Sequence, residues 1–370
     1  MNRTRLSEVY HLPVPPGGGV VVASAFTHPV RGRVHCPAAP LVAAWLIGQG
    51  HPAVIRDLGS AVGGALGAAD PRTPSDRMAV TTYLDLDGRA VGIAAAGGAA
   101  SAHLAQEAVD RWSSTLRTRR ALIALPSPHC PADGSGGARI PVPRPSAAGR
   151  PGACRTPAAT DDTIASYRER GDCVLLLDPR ARGGRDGRAG RGPVRRGEVV
   201  EVGTLEAIGE LAPEDEARVS FVVGACAVID KVTPLLRALR ERFPALRGQH
   251  PDQWCYSSTD MARTSKAVIE ASDLTLCLGG AGHLPDLPVG IGRLRTVRSL
   301  ADLSPEDVRG AATIGLIEAD GPAGAGARAG LGVTDVLDVL AGIGPLSVVH
   351  HSVRTTVSTN VYQSPLTPVR

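Results

Sequence analysis

Seven cysteines are spread over the 370 residues, at positions 36, 130, 154, 173, 226, 255 and 277. An odd number at wide spacings argues against a disulfide framework and leaves three readings: metal ligand, nucleophile or small buried hydrophobe. Local setting separates them. Cys173 (CVLLL) and Cys277 (LTLCL) lie inside apolar runs and read as core. Cys36, in HCPAAP, reads as structural, and Cys226 follows an apolar run and stays ambiguous. Cys130, Cys154 and Cys255 fall in loops at the ends of strand-like or helix-like runs, where sites are built. Three thiolates from three separate loops suit an iron–sulfur cluster. Soft sulfur matches iron, and a cluster held by three cysteines keeps one iron open, as a catalytic zinc keeps an open position. The chemistry expected of such a set is reductive.

The elements around these residues alternate between apolar runs and helix-patterned runs, which is the pattern of an α/β protein. Strands are expected at 19–25, 80–84, 90–95, 121–125, 173–177, 218–223, 274–278 and 313–317. Helices are expected at 38–49, closed by Gly50, and at 102–116, 160–170, 258–271 and 333–340. Asp87-Gly88 marks a hairpin turn. Thr233-Pro234 reads as an N-cap followed by proline at the first helical position, ahead of a one-sided stripe of Leu235, Leu236, Leu239 and Phe243. Residues 131–158 have no periodicity and read as a linker. The tract 179–197 is rich in Gly and Arg, has too little apolar content to bury a core, and reads as a mobile loop.

Other signals are weaker. No aromatic interleaves the arginines of that tract, so a solvated loop is expected rather than a nucleic-acid surface. The net charge of +4 is too modest to suggest one either. His350-His351 are adjacent on a strand-like run and point to opposite faces, which disfavours chelation by both. Gly17-Gly18-Gly19 precede a strand, whereas a phosphate loop follows one. His283, Asp286 and Asp320 lie in loops after strands and are candidate contacts for a substrate. No run approaches the length of a membrane span, and the start has no apolar signal segment, so a cytoplasmic location without membrane contact is expected.

Three segments carry a resemblance. The longest is VTPLLRALRERFPALRGQHPDQWCYSSTDMARTSKAVIEASDLTLCLGG, residues 232–280, in the region that opens at Gly197; ALIALPSPHC and ACRTPAATDDTIASYRERGDCVLLL lie upstream. They resemble, in turn, the helix–DDICYAT–helix–strand segment, the opening strand with its GFCAGV cysteine, and the ATCPLV–helix–strand segment of the 4-hydroxy-3-methylbut-2-enyl diphosphate reductase family (IspH, also LytB). The resemblance implies that Cys130, Cys154 and Cys255 are ligands of a [4Fe–4S] cluster. It implies a multi-lobed reductase-like core around a central cluster site at 119–370, with a shortened first lobe, preceded by a small α/β domain at 1–118. The implied activity is reductive dehydroxylation of a small-molecule diphosphate, giving isopentenyl and dimethylallyl diphosphates. The implied partner is an electron-donor protein of ferredoxin or flavodoxin type.

The chain departs from the family where substrate is held. Cys154 follows Cys130 closely, without the long segment that carries a substrate-binding histidine. DPRARGGRDGRAGRG stands in place of a GHxxHxExxG-like run with its proton-donating glutamate. Gly224-Ala225-Cys226 replaces a Thr-Thr pair, GGAGHLPDLP a Ser/Asn cluster, and EADGPAG a serine-bearing turn. No catalytic or substrate-binding residue can be carried over, and weak or absent turnover of the family's substrate is expected unless Glu318 or Asp320 supplies the acid. Two alternatives follow: a catalytically impaired paralogue acting as a binding or regulatory module, or an iron–sulfur reductase of another substrate.

Overall fold

The computed structural model describes residues 5–11, 19–59, 77–125, 156–179, 193–278, 293–318 and 331–357. It is an α/β protein whose described strands form three sheets. The chain divides into two compact units, Met1–Leu125 with Ser265–His351, and Pro126–Thr264 with Ser352–Arg370.

The first unit opens with β1 (Leu6–His11), β2 (Val20–His28), β3 (Gly32–His35), α1 (Ala39–Gly48), β4 (Ala53–Leu58), β5 (Arg77–Leu84), β6 (Ala90–Gly97) and α2 (Ala102–Ser113). The six strands form a mixed sheet in the order β1-β5-β6-β3-β2-β4. The β5–β6 turn is the expected one: Gly88 has φ +77°, and Asp85 Oδ1 accepts the N–H groups of Asp87 and Arg89 at 2.9 and 2.8 Å. The β2–β3 turn is held by a histidine. Buried His28 accepts the Val30 and Arg31 amides on Nδ1, both at 3.1 Å, which leaves Nε2 to face Glu8 at 2.7 Å. The Tyr10 hydroxyl donates to the same carboxylate at 2.8 Å. These bonds and the charge of Arg31 outweigh desolvation, the largest single influence, and leave the Glu8 carboxyl below its usual range.

β7 (Arg119–Ala124) begins a second sheet, which the chain completes only after the second unit. That unit contains α3 (Thr156–Glu169), β8 (Cys173–Leu177), β9 (Val199–Val202), α4 (Leu205–Glu210), β10 (Val219–Val223), α5 (Ile229–Arg242), β11 (Arg247–Gly248) and the start of α6 (Ser257–Glu270). Its sheet, β11-β10-β8-β9, is wholly parallel. Parallel strands are covered on both faces, which is why β8 and β10 read as near-continuous apolar runs. Cys173, Leu175, Leu177, Val219, Phe221 and Val223 pack into one cluster with α5, whereas Val174 and Val222 pack with Tyr167 of α3. The Phe221 ring lies where a Cβ on Gly248 would be, 2.1 Å from the nearest ring atom, so only glycine fits there.

Helix α5 starts a turn earlier than Thr233-Pro234 predicts, and Pro234 lies inside it. Two things favour the earlier start. Ile229 and Val232 are buried and extend the apolar stripe of Leu235, Leu236 and Leu239. The Ile229 N–H is satisfied from outside the helix, by Thr259 Oγ1 at 2.8 Å. Thr233 Oγ1 instead donates to Ile229 O at 2.9 Å. The far end of the Gly/Arg tract is also anchored. Buried Val194 exchanges backbone bonds with Ala212 and Glu214, and Arg196 pairs with Asp215 at 2.9 Å.

The first unit resumes with β12 (Leu274–Leu278), β13 (Arg293–Val297), α7 (Pro305–Arg309), β14 (Thr313–Glu318), α8 (Val333–Ala341) and β15 (Leu346–His351). The sheet order is β13-β12-β14-β7-β15, all parallel. Residues 1–118, expected to form a small α/β unit, supply the whole six-stranded sheet. Their core side chains Leu46 and Trp112 lie in one hydrophobic cluster with Leu276, Leu316 and Leu340. Each such side chain contributes about 1.5–3 kcal/mol on burial. Arg119, at the start of β7, is buried and has no carboxylate partner among the described residues. Its guanidinium donates to the backbone carbonyls of Thr115, Val308 and Ile343. Burial pushes its pKa down to about 10.

Candidate functional site

The carboxyl ends of the parallel strands in the second unit gather the loops in which site chemistry is expected. The Gly224 N–H donates to Leu177 O at 2.9 Å, and a Cβ on Gly224 would meet the Asp178 Cβ at 3.1 Å, so the β8 and β10 ends approach closely. Cys226 follows in the turn to α5. It is the sole non-glycine with positive φ among the described residues, at 58°. A cysteine there is in a conformation that costs roughly 1–2 kcal/mol. Buried Gln249, just past β11, accepts the Val223 N–H on Oε1 at 2.8 Å, extending the pairing of β10 with a side chain.

Cys255 lies in the loop between β11 and α6, two residues ahead of the helix, and is half-buried. The loop is braced at several points. His250 opens a short 3₁₀ turn over Pro251–Gln253, with Gln253 Oε1 accepting the His250 N–H at 3.1 Å and His250 Nδ1 facing Asp252 at 2.8 Å. The Tyr256 hydroxyl reaches back to Pro251 O at 3.1 Å, and the Trp254 and Tyr256 rings lie 6.4 Å apart. Burial, with the nearby Asp252 charge, pushes the Tyr256 phenol up, so it stays a neutral donor. The amino end of α6 favours negative charge beside it, which suits a ligated thiolate. Thr259, in the first turn of α6, ties this loop to the turn after Cys226 through Ile229.

Cys130 and Cys154 lie outside the described residues, as do His283, Asp286 and Asp320. Among the described residues no group of three or more His, Cys, Asp or Glu side chains is arranged to hold a metal ion. Cys36, Cys173 and Cys277 are buried, and burial pushes their thiols up to about 12, 11 and 11, which makes them neutral core groups. Glu318 closes β14, where its Oε1 accepts the Val333 N–H at the first turn of α8 at 3.3 Å. His350 and His351 end β15, an edge strand, on opposite faces. Sequence reasoning passed over Gln249 and Thr259. The signal for Thr259 was the S-S-T run at the helix start; nothing local marks Gln249.

Among the described residues no helix is long and apolar enough to cross a membrane. No protein-family model matches the chain. Several curated proteins named 4-hydroxy-3-methylbut-2-enyl diphosphate reductase are similar to parts of it. The protein from Ruegeria pomeroyi is 31% identical over 113 residues, covering 30% of this chain and 35% of the relative. That from Paracoccus denitrificans is 31% identical over 24% of this chain and 28% of its own length. That from Salmonella paratyphi C is 26% identical over 41% of this chain and 50% of its own length. The chain thus spans half or less of the length of these curated relatives. A solved structure of E-1-hydroxy-2-methyl-but-2-enyl-4-diphosphate reductase from Plasmodium falciparum matches with a TM-score of 0.38 at 12% identity, over 53% of this chain and 61% of that one. That score is too low to bear on the fold.

Proposed function

We propose that this chain is a divergent iron–sulfur protein of the 4-hydroxy-3-methylbut-2-enyl diphosphate reductase type. What carries the reading is its similarity to relatives of that name at 26–31% identity. Cys130, Cys154 and Cys255 would hold a [4Fe–4S] cluster, which in such enzymes supplies electrons for reductive removal of a hydroxyl group. Cys255 fits the role on its own features. Its half-buried, braced position at a helix amino end contrasts with the buried, neutral thiols of Cys36, Cys173 and Cys277. Residues 1–118 are proposed to contribute no ligand, since buried Cys36 is their sole cysteine. A diphosphate substrate, an electron-donor protein and a cytoplasmic setting follow from the same reading.

One observation favours the second reading, a paralogue with impaired turnover or another substrate. The turn after β10 holds Gly224-Ala225-Cys226 in place of a hydroxyl pair, and no glutamate stands in 178–197 to deliver a proton. A positioned acid contributes roughly 10²–10⁴ in rate. The test is anaerobic purification with iron and sulfide analysis and visible absorption. The wild type is expected to hold close to four irons per chain if the three cysteines carry one such cluster. Cys255→Ser is expected to lose most of that iron and Cys36→Ser none. Wild-type protein without iron after reconstitution would overturn the reading. With the cluster present, turnover of 4-hydroxy-3-methylbut-2-enyl diphosphate is expected to be weak or absent, and robust turnover would rule out the second reading.

A further inference from the structure

The segment that leaves β15, Ser352 to Val357, has no helix or strand of its own, yet it is bonded to α6 at regular intervals. The Val353 N–H donates to Thr264 Oγ1 at 2.9 Å. The Thr355 N–H donates to Asp260 Oδ1 at 2.9 Å, and the Thr355 hydroxyl donates to the same oxygen at 2.6 Å. Arg263 Nη1 in turn donates to Thr355 Oγ1 at 3.3 Å, while its Nε and Nη2 grip Asp230 at 2.9 and 2.7 Å. Both acceptors on the helix, Asp260 and Thr264, are buried.

The spacing explains why this pairing works. Two residues of extended chain advance about 6.6 Å. Four residues of helix advance about 6 Å. Acceptors at i and i+4 on one helix face therefore match alternate amides of an extended peptide running the opposite way. Asp260 and Thr264 have that spacing, and Val353 and Thr355 are the alternate residues. Arg354 between them is exposed, as alternation requires. The contact to Asp260 is charge-assisted, and loss of Thr355 would leave a buried carboxylate without two of its donors.

We infer that the first two turns of α6 are a docking site for extended peptide backbone and that residues 352–357 occupy it in cis as a strap. The recognition is through backbone amides and one hydroxyl, so it tolerates change at 354 and demands a hydroxyl at 355. The same turns hold Thr259, whose hydroxyl fixes the turn after Cys226, and follow directly on Cys255. Occupation of the site thus steadies the helix start whether or not Cys255 binds iron.

Residue-resolved amide hydrogen exchange on the full-length protein tests this. In the wild type the Val353 and Thr355 amides are expected to exchange at least tenfold more slowly than that of Arg354, each relative to its intrinsic rate. Thr355→Val, which keeps the amide and removes the hydroxyl, is expected to cut protection at both by about tenfold, the worth of one charge-assisted bond. Thr355→Ser is expected to restore it. Arg354→Ala is expected to leave the pattern unchanged. Thr264→Val reports on the Val353 contact separately, should Thr355→Val compromise folding by circular dichroism. Equal exchange at 353, 354 and 355 in the wild type, or protection unaltered by both Thr355→Val and Thr264→Val, would overturn the inference.

Discussion

Strands β10 and β14 occupy equivalent places, each inside a parallel sheet, each with a mostly apolar, buried middle and each leading towards a helix. Their carboxyl ends differ. At β14 the last side chain, Glu318, is used as a cap on α8. At β10 the chain turns through Cys226 in a left-handed conformation, and Thr259 draws in the turn that follows Cys255. The first arrangement spends its polar group on bracing. The second accepts backbone strain and keeps two thiols near strand and helix ends. The same architecture therefore supports a structural end and a candidate chemical one, and the distinction lies in a few side chains.

The largest effect is expected in the first unit. Arg119→Met removes the guanidinium that donates to four backbone carbonyls around β7, those of Thr115, Arg117, Val308 and Ile343. A loss of about 3–5 kcal/mol is expected, read from urea unfolding, because buried carbonyls lose their donors. A change below about 1 kcal/mol would mean that water or local relaxation satisfies those carbonyls. A smaller effect sharpens the claim of strain in the second unit. Cys226→Gly should be more stable than Cys226→Ala by up to about 1 kcal/mol, since both lose the thiol and only glycine relieves the left-handed φ. If both variants are equally destabilised, strain is not what distinguishes the β10 end. The smallest effect concerns the His28–Glu8 contact. The Glu8 carboxyl titrates lower in the folded protein than its ordinary value of 4.5, so its contribution is present above pH 4.5 and is lost as pH falls through the folded value. Glu8→Gln should flatten that part of a plot of Tm against pH, and an unchanged plot would show that the contact contributes nothing measurable.

Much of this was legible in the residues. The near-continuous apolar runs of β8, β10 and β12 announce strands buried on both faces, and Gly50 and Asp87-Gly88 mark the turns where they occur. The strands β4 and β13 were not legible, and β15 was read only as a strand-like run around His350-His351. They are edge strands, half-exposed, so their residues (AVIRDL, RLRTV, LSVVHH) alternate poorly. The start of α5 was hidden because its cap, Thr259, is supplied from a distant helix. The candidate site was legible by type: a loop cysteine before a helix. Its bracing by Gln249 and Thr259 was not, since each acts on a group brought near only by folding.

Strand β7 pairs with β14 and β15, and its first residue, Arg119, donates to a carbonyl 189 residues further along the chain. For a polypeptide emerging from the ribosome, that distance is time. At 5–20 residues per second, β7 waits roughly 10–40 s for its neighbours. Throughout that interval its two hydrogen-bonding edges and the apolar faces of the six-stranded sheet have no native cover from the later residues. The intervening unit, complete except for its strap, can meanwhile fold on shorter-range contacts. Vectorial synthesis thus gives this chain an order of assembly that refolding from denaturant does not. Nascent chains halted near residue 264 should be the ones most in need of a chaperone that shields strand edges.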